Sequence, residues 1–177
     1  MRVLITGANG QLGNEMRRLG AVSPNEYLFT DVAELDITDK AAVAEFVKSN
    51  NVEIIVNCAA YTNVEAAEDN AEEAMSVNRD GVRNIATICA EQGIKLIHIS
   101  TDFVFGGDAE RTTPYLESDT PAPINVYGRT KAEGECEAMK APEAIVLRTS
   151  WLYAPWGKNF LNTILARAKE GAELRVV

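Results

Sequence analysis

Short apolar runs alternate with longer stretches of helical periodicity along the whole chain. Residues 3–5 read as a first strand, followed by a glycine turn and a helix over about 11–19. Residues 27–29 form a second strand that ends at Thr30 and Asp31. Asp39 is placed to cap a helix running through Ser49, with Ala42, Phe46 and Val47 on one face. Residues 53–57 are apolar enough for a strand buried on both sides. A long helix is predicted over 71–92, where Met75, Val82, Ile85 and Ile88 recur at helical spacing and Gly93 supplies a stop. A fourth strand follows over 95–100, then a loop over 106–125 rich in Gly, Pro, Thr and Asp, and a helix over 126–139. Residues 144–148 read as a fifth strand, 159–169 as a helix ended by Gly171, and 174–177 as a sixth short strand. Such regular alternation implies an α/β fold. A doubly wound parallel sheet is joined by right-handed crossovers, with helices on both faces in three α/β/α layers.

A chain of 177 residues fits one domain, and its last run stops in mid-strand at Val177. That stop reads as a shortened chain, with residues 1–177 as a single domain and any smaller C-terminal region missing. Acidic residues outnumber basic ones, 26 to 17, for a net charge of -9, which argues against nucleic acid or an anionic membrane as partner. The three cysteines, Cys58, Cys89 and Cys136, are widely spaced and set among apolar or helical residues, so they are expected to be reduced and buried. With His98 the only histidine and no paired cysteines, a zinc site is not expected. The N-terminus opens on an apolar strand without a signal-peptide pattern, and a cytoplasmic protein is expected.

Candidate chemistry begins at the first turn. Gly7, Gly10 and Gly13 stand in a G-x-x-G-x-x-G spacing between the first strand and the first helix. In that context Gly7 permits the tight turn, Gly10 lets a pyrophosphate approach the backbone, and Gly13 lets the helix lie close to the sheet. Free N–H groups at the helix start then receive the phosphates. This is the arrangement of a Rossmann-type dinucleotide site. Asp31, at the end of the second strand, is either a ligand for an adenosine ribose hydroxyl, leaning towards NAD, or a solvated loop acid. Asp36 and Ile37 are candidates to flank the adenine, and the small residues Ala59 and Ala60 would let a dinucleotide cross the sheet edge.

Further on, Tyr127 and Lys131 share one helical face at i and i+4. A Tyr hydroxyl is a poor acid–base group at neutral pH, and a nearby ammonium is expected to favour its phenolate. Ser100 and Thr101 close the fourth strand, where a catalytic hydroxyl is expected. His98 is read as a packing residue, and the acidic run 65–73 as a solvated face. Trp156 and the loop over 106–119 are read either as a cover for substrate or as flexible surface.

Together these motifs resemble the extended short-chain dehydrogenase/reductase superfamily. Within it, segments 56–62 (VNCAAYT), 100–105 (STDFVF), 123–128 (PINVYG) and 148–151 (RTSW), with Asn159 and Phe160, resemble the dTDP-4-dehydrorhamnose reductase family over all 177 residues. Nucleotide-sugar dehydratases carry an acid where this chain has Phe103, so dehydration is disfavoured. The resemblance implies that Gly7, Gly10, Gln11, Leu12 and Gly13 line the pyrophosphate, while Asp31, Asp36 and Ile37 hold the adenosine. It places Ala59, Ala60, Tyr61, Thr62 and Ile99 along the nicotinamide side. Tyr127 becomes the proton donor, Lys131 its partner and ribose ligand, and Thr101 the group that tunes Tyr127. Thr101, Asp102 and Trp151 would touch the sugar.

The implied reaction is hydride transfer from NADPH or NADH to the C4 keto group of dTDP-4-dehydro-L-rhamnose, with proton donation by Tyr127. A homodimer is implied too, and a Mg2+ ion at a subunit contact with Glu15 as a candidate ligand. Two alternatives stay open: another nucleotide-sugar epimerase or reductase, and a non-enzymatic NADP-binding subunit like the regulatory subunit of methionine adenosyltransferase.

Overall fold

Leu4 and Ile5 are adjacent on the first strand and both wholly buried, because each faces a different hydrophobic core. The computed structural model describes residues 1–157 and 159–171. Its sheet has five strands, β1 (Arg2–Thr6), β2 (Glu26–Phe29), β3 (Ile54–Asn57), β4 (Lys95–Thr101) and β5 (Ala144–Thr149), in the order β2-β1-β3-β4-β5. Every pairing is parallel. The register lines up Leu28, Leu4, Ile55, Leu96 and Ala144 as one row across the sheet, and Phe29, Ile5, Val56, Ile97 and Ile145 as the next. Successive side chains point to opposite faces, so the two rows serve the two cores.

The first row is roofed by α2 (Lys40–Ser49) and α5 (Val82–Gln92), with Ala138 from α6 (Val126–Ala138) completing the main core. On α2, Val43 and Val47 make the buried pair, one turn apart, and Ala42 and Phe46 flank them half-buried. The Asp39 side chain caps this helix by accepting from the Ala42 N–H at 3.0 Å. Gly93 ends α5 in the left-handed conformation, φ 68°. The second row packs against Met16 of α1 (Gln11–Gly20). On this side Ile145 and Leu147 of β5 are 55% and 45% exposed, so the cover is complete on one face and partial on the other.

Two expectations need correction. The helix anticipated over 71–92 is three pieces: α4 (Ala71–Met75), a π-helical segment (Ser76–Gly81) and α5. It is preceded by α3 (Val64–Asp69), whose N-terminus Asn63 caps through the Ala66 N–H at 3.1 Å. Cys136 is exposed and Cys58 only partly buried, so of the three cysteines Cys89 alone is buried. The helix α7 (Phe160–Lys169) forms with Asn159 as its cap, yet buries none of its side chains. The sixth strand expected over 174–177 lies outside the described residues. The loop over 106–125 is organised rather than loose. Gly107 N–H donates to Ala122 O at 2.8 Å, and Arg111 donates to Asp119 at 2.6 Å while lying over the Tyr115 ring.

Candidate active site

Gly7 turns the chain out of β1 with φ +62°, and a Cβ there would meet the Ala59 main-chain nitrogen at 2.6 Å. The turn after β1 and the exit of β3 therefore touch backbone to backbone. Gly10 is the extended N-cap of α1, and no side chain caps it. Its neighbours Gln11 and Leu12 open the helix at one end of a cavity of about 560 Å³. Gly13 was expected to bring α1 close to the sheet. What its missing Cβ admits is the turn itself, since a Cβ would stand 2.5 Å from the Ala8 Cα. A bare helix start beside close-packed backbone fits a bound pyrophosphate.

The cavity's other end is built at the C-terminal ends of β4 and β5 and on α6. Thr101, Asp102, Tyr127, Lys131 and Trp151 line it, as do Ile99 and, from the β3 exit, Ala60 and Thr62. The structure thus brings one set of anticipated residues into a single cavity: Gly7, Gly10, Gln11, Leu12, Gly13, Ala60, Thr62, Ile99, Thr101, Asp102, Tyr127, Lys131 and Trp151.

Five others stand off its walls. Asp31 accepts from the Asn9 N–H at 2.8 Å and the Val32 N–H at 2.9 Å, tying the β2 exit to the glycine turn. Asp36 accepts from the N–H and the hydroxyl of Thr38, both at 2.8 Å, within its own turn. The side chain of Ile37, read as an adenine contact, is buried in the main core. Ala59 lies under Gly7, and the Tyr61 main chain is gripped by Asn78.

Lys131 is 2% exposed, and its Nζ donates to the Ile99 carbonyl at 2.7 Å. Burial pulls its pKa down to about 8, against the opposing pull of the Glu135 carboxylate. The Tyr127 phenol moves opposite to the expectation. Burial raises it and Asp102 adds to the rise, while the neighbouring Thr101 hydroxyl lowers it in part. The Lys131 ammonium is turned to the Ile99 carbonyl instead. Phe103 meets the Tyr127 ring edge-on at 5.6 Å between centroids. Asp102 is fixed from both sides, accepting from Ser150 Oγ at 2.7 Å and from Thr101 Oγ1 at 3.2 Å. Trp151 is 66% exposed and has φ 54°, a conformation rare outside glycine, at the cavity's rim. Its ring packs edge-on against Phe160 of α7 at 5.5 Å.

Sequence reading passed over several contributors. Cys58, Thr149, Ser150, Leu152 and Gly157 also line the cavity, beside Phe103, already marked as the position where dehydratases carry an acid. Asn78, in the π-helical segment, is wholly buried: its Oδ1 accepts from Tyr61 N–H at 2.9 Å and its Nδ2 donates to Tyr61 O and Thr130 Oγ1. It carries no catalytic signature, and only its place on a π segment marks it. His98, read as packing, contacts both Asn57 and Lys131. Loop residues 106–125 contribute nothing to the cavity lining, and neither does Trp156. Glu15 is paired with Arg18 at 2.9 Å, and among the described residues no group of three or more acids, histidines or cysteines is arranged to hold a metal.

Comparison with known proteins places this geometry. The family model described as RmlD substrate binding domain matches residues 1–177. The dTDP-4-dehydrorhamnose reductase of Mycolicibacterium smegmatis is 42% identical over 99% of this chain and 54% of its own length. The crystal structure of a dTDP-4-dehydrorhamnose reductase from Bacillus anthracis in complex with NADP superimposes with a TM-score of 0.90 at 41% identity, covering 96% of this chain and 60% of that one. The corresponding structure from Clostridium acetobutylicum gives a TM-score of 0.90 at 38% identity, with 96% and 60% covered. The chain therefore spans little more than half the length of the relatives it matches. Among the described residues no helix is long and apolar enough to cross a membrane.

Proposed function

The chain belongs to the RmlD substrate binding domain family, and from that premise we propose that it binds NADPH or NADH and serves in reducing the C4 keto group of dTDP-4-dehydro-L-rhamnose to dTDP-L-rhamnose. One observation carries the reading: a single cavity joins the uncapped glycine turn at Gly7, Gly10 and Gly13 to Thr101, Tyr127 and Lys131. A purely binding role has no need of that second group, so the arrangement favours an enzyme over an NADP-binding partner subunit. The relatives' names and the NADP in the Bacillus anthracis structure support the same assignment.

The nicotinamide cofactor supplies a hydride to the carbonyl carbon when bound. The glycine turn and the start of α1 hold the pyrophosphate through main-chain N–H groups and the helix dipole. Tyr127 keeps its proton at neutral pH because burial raises its pKa, which suits it to donate to the oxygen that gains charge. The Thr101 hydroxyl orients that phenol, and Asp102, held by Ser150, stands beside it to meet sugar hydroxyls. Phe103 offers no acid or base for removing water, which favours reduction over dehydration. Trp151 gives the sugar an aromatic face at the rim. The diphosphate of such a substrate does not cross a membrane unaided, in keeping with a cytoplasmic site of action.

The test is NADH and NADPH oxidation followed optically with dTDP-4-dehydro-L-rhamnose, beside a Tyr127→Phe control. Turnover that vanishes in the control is the expected result. Cofactor binding without turnover on this sugar, but with turnover on another nucleotide sugar, would replace the substrate and keep the enzyme class.

A further inference from the structure

Asn57 and His98 are wholly buried and Lys131 almost so, Asn57 at the end of β3, His98 in the middle of β4 and Lys131 on α6. The Ala59 N–H donates to Asn57 Oδ1 at 3.2 Å, and the Thr6 hydroxyl donates to the same oxygen at 2.7 Å. A backbone N–H can only donate, so this end of the amide is fixed as its oxygen. The other end, Nδ2, must donate, and it meets His98 Nδ1 at 3.1 Å. Nδ1 therefore holds a lone pair, and the one proton of a neutral ring sits on Nε2. Burial and the Lys131 charge push the imidazole well below its ordinary range, so no second proton is held. Nε2 in turn lies 3.4 Å from Lys131 Nζ. Whenever Lys131 is an ammonium, two donors face each other. An amine lone pair would instead accept from the Nε2–H.

We propose that Asn57 and His98 form a tautomer lock on Lys131: by presenting an N–H in place of a lone pair, the ring favours the neutral amine and makes Lys131 a group that takes up and releases a proton inside the cavity. His98 and Asn57 are then positioning residues that act through Lys131. The other groups facing Nζ do not undo this. Glu135 on α6 pulls towards the ammonium, but its carboxylate is already shared between Arg148, at 2.7 and 2.9 Å, and Ser100, at 2.6 Å. The Cys58 thiol, just beyond β3, is pushed up to about 12 by burial and stays uncharged. Tyr127, one turn back on α6, keeps its proton. With burial set against the pull of Glu135, Lys131 already stands at about 8, within reach of a small bias from its neighbour. The inference rests on the proposed function only in counting Lys131 as a site residue. Its tautomer and titration belong to the chain itself.

His98 is the only histidine, so nitrogen-15 spectra of the chain report one imidazole. The expected result from about pH 6 to about pH 9 is a protonated Nε2 and a bare Nδ1, with one movement of the ring signals as Lys131 titrates. In Asn57→Asp the carboxylate accepts from the ring, the proton moves to Nδ1, and Nε2 is freed to accept from the ammonium. The Lys131 midpoint, read from lysines labelled with carbon-13 at Cε and assigned by comparison with Lys131→Met, then rises by at least about one pH unit. His98→Gln, whose amide oxygen can turn to the ammonium, is expected to move it the same way and stands in should the first variant not fold. A wild-type ring protonated at Nδ1, or a Lys131 midpoint unmoved in a folded variant of either kind, overturns the proposal. Neither spectrum depends on reductase turnover, so this proposal and the proposed function fail separately.

Discussion

The Nζ of Lys131 and the main-chain oxygen of Ile99 are joined at 2.7 Å, which pins α6 to β4 at the floor of the cavity and leaves a cation almost without water. Stability should record that cost in its pH dependence. The folded-state pKa of Lys131 is depressed, to about 8 from 10.5. Between those values the unfolded chain holds a proton that the folded one has released, so raising the pH favours folding through this group. Wild type should gain on Lys131→Met by up to about 3 kcal/mol across that window, taking 1.36 kcal/mol per pH unit. Urea midpoints of the two proteins at a series of pH values check this. A gap that stays constant would contradict it.

Tyr127→Phe removes one hydroxyl and keeps the ring against Phe103. Turnover should fall about 10²–10⁴-fold, the usual contribution of a positioned acid. Cofactor affinity, measured by fluorescence titration, should change little. A matching loss in both would point to a binding role for the hydroxyl.

Gly13→Ala puts a methyl 2.5 Å from the Ala8 Cα, where the obstacle is backbone and not a flexible side chain. The turn must shift, at roughly 1–3 kcal/mol. For a chain of this size that is a fall in Tm of about 2–4 °C per kcal/mol. Weaker cofactor binding should accompany it, because the same turn is the proposed pyrophosphate site. Calorimetry and a binding titration on one sample test both effects.

Asn78→Ala leaves the N–H and carbonyl of Tyr61 without their buried partner. The expected loss is about 1–3 kcal/mol. The segment over 60–62, proposed to run along the nicotinamide side, should loosen with it, seen as a higher KM for cofactor with kcat less affected. Denaturant titration and steady-state kinetics would show it, and an unchanged KM would confine Asn78 to a structural role.

Much of the fold was legible because it is written locally. Asp39 before an apolar periodicity, Gly93 after one, and three glycines between a strand and a helix each specify backbone geometry within a few residues. The Tyr127 and Lys131 pair was legible for the same reason, since helical spacing alone puts both on one face. What was not legible depends on partners distant in sequence. Asp31 looks like a free acid until Asn9 and Val32 are seen to occupy it. Ile37 reads as an adenine contact until the core closes over it. The direction of the Tyr127 shift was misjudged because charge was weighed without burial, and the Lys131 charge is turned towards Ile99. Asn78 sits where one extra residue widens the helix, which no periodicity in the sequence announces.

The contact between Gly7 and Ala59 makes two loops into a single mechanical part. A residue inserted into either one must displace the other, although 52 positions of chain separate them. Grafting this glycine turn onto another scaffold would transfer only half of the device unless the β3 exit travelled with it. Libraries that vary the two loops independently should yield mostly inactive chains, whereas paired variation should not. The unit of inheritance at this site is thus a pair of turns and not a motif.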